Sequence, residues 1–256
     1  MDSDLSACAA LVERGDPERF LTIMAAPASA RAVLFPIHAF NLEVARAPWV
    51  TKEPMIAQMR LQWWRDALDE IASGGMVRRH EVVLPLAQVL DAEGARVLDA
   101  LVAARAADLE RAPFEDAEGL WAYLDATSGG LLWAAARALG PADEATVRAA
   151  GQALGLANWF RAVPGLVAAA KLPLPDGRPE AIAALAREGL ARLARARAAR
   201  AKVSTPSGAA LLAVGQGAWI LRQVAADPSR VAEGALDRSP AGLRAGLMWR
   251  AATGRW

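Results

Sequence analysis

Apolar side chains recur along this chain every three or four residues, and no stretch alternates apolar with polar positions. That period is the mark of helices with one buried face. Start and stop signals divide it into about ten helices. The first runs from Leu5 to Glu13 and closes at Gly15. Asp16-Pro17 caps a short helix through Met24, which Ala26-Pro27 breaks. A helix from Ser29 to Ala47 stops at Pro48, and Thr51 with Pro54 opens a long one ending at Gly74-Gly75. Further helices cover 81–91 and 95–111. Pro113 interrupts before a helix from Glu115 to Leu139, which Gly140-Pro141 ends. The next spans Asp143 to Val163, with Pro164 as its stop. Pro173 and Pro175 mark a loop. An Arg-rich helix follows over 179–202. Pro206 and Gly208 open another through Ala225, and Pro240 opens the last. With no repeat and no long linker, residues 1–256 read as one all-α domain.

Composition agrees with that pattern. Alanine, the best helix former, supplies 62 of 256 residues. The hydrophobic fraction of 54% excludes disorder, and the scarcity of β-branched and aromatic residues excludes an all-β fold. A net charge of +1 is too balanced for a nucleic-acid binder. Cys8 is the single cysteine, so no internal disulfide or cysteine-based metal cluster can form. The acidic start Met-Asp-Ser-Asp shows no secretory signal. The longest weakly polar stretch, Gly208 to Leu221, is too short to span a membrane. A cytoplasmic protein is expected, peripheral on the inner membrane at most.

Familiar catalytic patterns are missing. His38 and His80 are far apart, and neither has a partner at metal-ligand spacing. His38 lies in an apolar helical run and reads as a core or edge histidine. Ser128 before Gly129-Gly130 lacks the turn context of a hydrolase nucleophile. Asp66, Asp69 and Glu70 stand at helical spacing and read as a solvated face.

The stretch from Arg31 to Glu70 is the most informative. It contains Phe-Pro-Ile-His-Ala-Phe-Asn-Leu-Glu (35–43) and Met-Arg-Leu-Gln-Trp-Trp-Arg-Asp (59–66). Ala-Gly-Gln-Ala-Leu-Gly-Leu-Ala-Asn-Trp-Phe-Arg-Ala-Val-Pro (150–164) is a second marker. Asp116 through Tyr123 to Gly130, and Gly242 to Trp249, are weaker ones. Together these resemble the short bacterial branch of the squalene/phytoene synthase family over roughly 16–250. The resemblance implies an isoprenoid-synthase-type helical bundle around a central cavity. It also implies head-to-head joining of prenyl diphosphates, with Mg²⁺ held by two acidic clusters on facing helices.

The chain departs from the family at those clusters. Ala45 and Arg46 stand where adjacent aspartates belong, and a later aspartate falls at Trp49. Ala162 and Leu166 replace the acids of the second motif. Family members lacking both motifs include mitochondrial complex I assembly factors, and Phe160 to Pro164 is similar to theirs. The resemblance therefore implies a non-catalytic, assembly or chaperone-like protein with no cofactor. The alternative is a prenyl diphosphate binder or prenyltransferase, for which alone Mg²⁺ would be needed.

A polar network in the cavity is expected from Arg31, Asn41, Glu43 and Arg60, joined by Arg65, Asn158 and Arg161. Trp63, Trp64 and Tyr123 are the expected cavity aromatics. The Arg187–Lys202 helix, with six cations against Glu188, is the expected contact for a protein client or an anionic membrane surface. A prenyl lipid is the expected small ligand.

Overall fold

A computed structural model describes residues 3–51 and 53–256. The acidic start at Met1–Asp2 lies outside them. The described residues form helices α1 (Ser3–Gly15), α2 (Pro17–Ala25), α3 (Ala28–Arg46) and α4 (Pro54–Ser73). Then come α5 (Val83–Val89), α6 (Ala92–Ala104), α7 (Ala117–Leu124) and α8 (Gly130–Leu139). The second half holds α9 (Glu144–Ala168), α10 (Pro179–Ala198), α11 (Thr205–Gly208) and α12 (Val214–Ala226). The chain closes with α13 (Ser229–Glu233) and α14 (Pro240–Thr253). No named strand occurs among the described residues; one isolated bridge joins Ala142 to Val203.

Helix starts follow local chemistry. The side chains of Asp16, Asp91, Asp116 and Asp143 each accept a backbone N–H two or three residues into the following helix. Such caps satisfy donors that a helix start leaves orphaned. Helix α9 is central, packed against α8, α10 and α12. Its Leu156 and Phe160 are fully buried. Burying such side chains contributes about 1.5–3 kcal/mol each.

Several boundaries differ from expectation. Pro164 does not stop α9, which runs four residues further to Ala168. A proline in the last turn removes one N–H bond and leaves the packed face intact. The expected helix from Glu115 to Leu139 is divided by a π-helical turn, Asp125–Gly129. There Thr127 Oγ1 donates to the Tyr123 carbonyl at 2.7 Å, Gly129 lets α9 approach, and Gly130 lies against Val97 of α6. A Cβ on Gly151 of α9 would lie 2.7 Å from the Ser128 carbonyl oxygen. The expected helix over 95–111 starts at its Asp91 cap and tightens into a 3-10 turn, Arg105–Leu109. The expected helix after Pro206 is broken between α11 and α12, which meet at a 42° bend. Helix α13 was not expected at all; its five residues are too few to show a period.

The Arg-rich helix is α10, continued by a short 3-10 turn over 200–202. Its arginines do not form a continuous basic face. Arg192 pairs with Glu188 at 2.9 Å and stacks over Trp121 at 4.0 Å. Arg195 reaches Glu188 at 3.2 Å, and Arg197 donates to the Trp256 carbonyl at 3.0 Å. Among the described residues, no single helix is long and apolar enough to cross a membrane.

Candidate functional site

A cavity of about 280 Å³ opens between α3, the 3-10 turn at 105–109, the π-turn and α9. Helix α3 and the turn after it line it with a stripe at three- and four-residue intervals: His38, Asn41, Ala45, Trp49. Helix α9 answers with Asn158, Ala162 and Leu166. The four positions Ala45, Trp49, Ala162 and Leu166 therefore face one another across a single space. None carries an oxygen that could hold a metal. Among the described residues, no three His, Cys, Asp or Glu side chains converge on a metal-sized point. The donor set does not fit Mg²⁺. Arg46 lies off this stripe, 61% exposed and 3.7 Å from Glu43.

The far wall is a buried triad. A 3-10 turn eclipses residues three apart, which brings Arg105 Nη1 to Asp108 at 3.1 Å. The same nitrogen donates to the Tyr123 hydroxyl at 2.9 Å, and that hydroxyl donates to Asp108 Oδ1 at 2.7 Å. Burial pushes the Tyr123 hydroxyl above its ordinary range, so it stays protonated. Burial opposes the charge on Arg105, and Tyr123 with Asp108 overcomes it. Trp159 stands beside Tyr123, its ring 5.3 Å away, and donates to the Pro173 carbonyl at 2.9 Å.

His38 is 4% exposed and has no hydrogen-bond partner among the described residues. Burial, with the nearby Arg19 charge, holds its imidazole well below the usual range, so it is neutral.

A second chamber of about 480 Å³ adjoins the first and shares Asp16, Arg19, Leu154, Asn158 and Ala162 with it. Here Arg161 donates to Glu18 at 2.8 Å and to Asp237 at 3.3 Å. Gln216 also donates to Glu18. Burial raises the Glu18 carboxyl, but the bonds from Arg161 and Gln216 outweigh it and hold the group below its ordinary value.

Of the expected cavity residues, Asn41, Tyr123, Asn158 and Arg161 line the two chambers. The others do not. Arg31 donates to the Met24 and Ala26 carbonyls, at 2.7 and 3.3 Å, and locks the α2–α3 junction. Glu43 pairs with Arg46 on the outer side of α3. Arg60 is exposed on α4. Arg65 makes a two-pronged pair with Asp99 at 2.7 and 3.1 Å, tying α4 to α6. Trp64 is buried edge-on against Phe40, and Trp63 lies under Arg78 at 4.8 Å. Neither tryptophan reaches the cavity. Sequence reasoning missed Arg19, Arg105 and Asp108, which no spacing pairs with the cavity. It passed over His38 as a site residue, although the stripe through Asn41, Ala45 and Trp49 includes it.

Beside the mouth, Trp49 and Val50 stand in solvent with Met55, Ile56 and Met59 from the first turns of α4. Met55 is 72% exposed. Trp49 also lies 5.6 Å from the Lys171 ammonium.

Known proteins share this architecture. The crystal structure of a dehydrosqualene synthase in complex with ligand aligns with 98% of this chain and 95% of its own. Its TM-score is 0.74, at 13% identity. The squalene synthase HpnC from Alicyclobacillus acidocaldarius aligns with 92% of this chain and 95% of its own, at TM-score 0.68 and 14% identity. At those identities the likeness shows the fold alone. In sequence, the chain is 31% identical over 166 residues to the Drosophila melanogaster homolog of NADH dehydrogenase (ubiquinone) complex I, assembly factor 6. The Bos taurus assembly factor 6 is 27% identical over 172 residues. These matches cover 61% of this chain, and 50% and 48% of the relatives, so the chain spans about half their length. Residues 12–178 match the family model of squalene/phytoene synthases. The chain belongs to the squalene/phytoene synthase family.

Proposed function

We propose that this chain is a non-catalytic member of its family and serves the assembly of respiratory complex I by binding a protein client. One observation carries the non-catalytic part: the positions of both lost acidic motifs meet around one cavity as Ala45, Trp49, Ala162 and Leu166. Ionising a prenyl diphosphate in the family's manner needs oxygen ligands for metal at those places. The process comes from relatives named as complex I assembly factors. The apolar ridge of Trp49, Val50, Met55, Ile56 and Met59 supports a protein partner, because exposed large apolar side chains gathered in one segment mark interaction sites.

The Arg187–Lys202 helix supports an anionic membrane surface less well. Arg187, Arg195, Arg200 and Lys202 are exposed on it, but Arg195 is paired with Glu188, and Arg192 and Arg197 are engaged inside the chain. The reading has no cofactor and no nucleic acid. Its location is cytoplasmic and peripheral to the inner membrane.

Deletion of the gene tests the reading. Assembled complex I on native gels and NADH:ubiquinone oxidoreductase activity should both fall, and a plasmid copy should restore them. Unchanged complex I would sink it. The alternative of a prenyltransferase is tested with purified protein, farnesyl diphosphate and Mg²⁺. No diphosphate should be released; its release would overturn the non-catalytic reading.

A further inference from the structure

We propose that the cavity between α3 and α9 binds an uncharged amphiphile, with a hydroxyl or carbonyl head and an apolar body, in preference to any phosphorylated ligand. Three observations converge on it.

The first is charge. Asp16 and Asp108 line the cavity and offset Arg19 and Arg105, leaving the wall with no net charge. Arg105 is already bonded to Asp108 and Tyr123, and Arg161 in the adjoining chamber to Glu18 and Asp237. A phosphate or diphosphate entering this space would have to break one of these pairs or draw on Arg19 alone, whose partner Asp16 stands 3.8 Å away. Buried charge without a partner is strongly disfavoured.

The second is the set of idle polar groups. His38 is almost wholly buried, lines the cavity and has no hydrogen-bond partner among the described residues. A neutral imidazole presents one donor and one acceptor. Asn41 and Ser128 line the same space, and their side chains likewise make no hydrogen bond among the described residues. Among the described residues, the Arg105 Nε–H is the buried side-chain donor without a partner, whereas the polar atoms of His38, Asn41 and Ser128 open onto the cavity. A buried donor without a partner is rare in native interiors, and the groups that open onto the cavity are free to meet a ligand. A hydroxyl or carbonyl satisfies a neutral imidazole without introducing charge.

The third is the remaining wall. Leu131, Leu132, Leu154, Leu166 and Trp159 supply an apolar lining for the ligand's body. The route in is open, because Trp49, Asn158 and Ala162 are all exposed. The inference stands apart from complex I: a bound amphiphile neither requires nor excludes a protein client.

The test uses two probes with the same ten-carbon tail, 1-decanol and decyl phosphate, titrated into the full chain by calorimetry with Mg²⁺ present. Decanol should bind at one site, and decyl phosphate at least tenfold more weakly. His38→Leu keeps the site apolar but removes the imidazole, and should weaken decanol about five- to tenfold, the usual worth of one hydrogen bond. Ala162→Trp, at an exposed position in the mouth, should abolish binding while near-UV circular dichroism stays native. Should His38→Leu fail to fold, the head-group comparison and Ala162→Trp still decide. Failure of decanol to bind, equal or tighter binding of decyl phosphate, or full binding by Ala162→Trp or by folded His38→Leu would each overturn the proposal.

Discussion

Ala170 adopts φ of 59°, the only positive φ at a non-glycine among the described residues. It sits just past α9, where the Lys171 N–H reaches back to the Leu166 carbonyl at 3.0 Å. That bond is the mark of a Schellman ending, a place that favours glycine. A left-handed alanine costs about 1 kcal/mol. Ala170→Gly should therefore stabilise the protein by about 1 kcal/mol, read as a rise in Tm of about 2 °C. His38 gives a second expectation. Its folded pKa lies below the unfolded value of 6.5, so the unfolded chain binds the extra proton first. Stability is complete above pH 6.5 and is lost as pH falls below it. Melting followed from pH 7 to pH 5 should show Tm falling, and His38→Leu should flatten that part of the curve. Single-residue chemistry was also the most legible layer of the sequence. Asp16 and Asp143 announce helix starts because a cap bonds to a backbone only three residues away. Arg31 and Arg65 were misplaced because their partners, two helix-end carbonyls and Asp99, are set by packing rather than spacing.

Between elements, the approach of α9 to the π-turn rests on missing side chains. A Cβ on Gly151 would lie 2.7 Å from the Ser128 carbonyl oxygen and 2.8 Å from Gly129 Cα. Both are backbone atoms, so neither can swing away. Gly151→Ala gains about 1 kcal/mol in helix propensity. Against that stands an overpacking cost of about 1–3 kcal/mol. The net effect should be destabilising, and a lowered urea midpoint at unchanged m-value would show it. The link between α2 and α9 is polar instead. Arg161 and Glu18 are each about one-third exposed, so water screens part of their attraction. Arg161→Met should cost about 1–2 kcal/mol at pH 7, measured by denaturant unfolding. Glu18 has a folded pKa below its unfolded 4.5, so its contribution is present above pH 4.5 and lost as pH falls through the folded value. The gap between wild type and Arg161→Met should accordingly narrow below pH 4. Helix existence was readable here from the 3.6-residue period, but the π-turn and the break before α12 were not. Both preserve the apolar pattern while changing the backbone that carries it.

Taken whole, the molecule has the fold of its family and a cavity on which Ala45, Trp49, Ala162 and Leu166 converge with no carboxylate among them. The convergence of those four positions was legible in the sequence, because Ala45 with Trp49, and Ala162 with Leu166, each lie four residues apart, about one helical turn. The opposite wall was not, because Arg105, Asp108 and Tyr123 meet only through a 3-10 turn and a distant helix. At this scale the apolar ridge should matter to the client and not to the fold. A Met55→Ser/Met59→Ser double variant, altered at exposed positions, should keep its Tm and fail to restore complex I in a deletion strain. Restoration to the level of the wild-type gene would remove the ridge from the reading. The π-turn brings a different consequence, one of counting. An ordinary helix advances about 100° per residue, and the wide turn over Asp125–Gly129 absorbs one residue beyond the regular helical count. Removing any one residue there would let α7 run straight into α8 as an ordinary helix and leave the two halves in the same rotational phase. Tyr123 and Leu131, which now face the same space from either side of the turn, would then stand seven residues apart and still share a face. The wide turn is thus what lets a segment one residue longer than a regular helix keep both of its ends on the cavity.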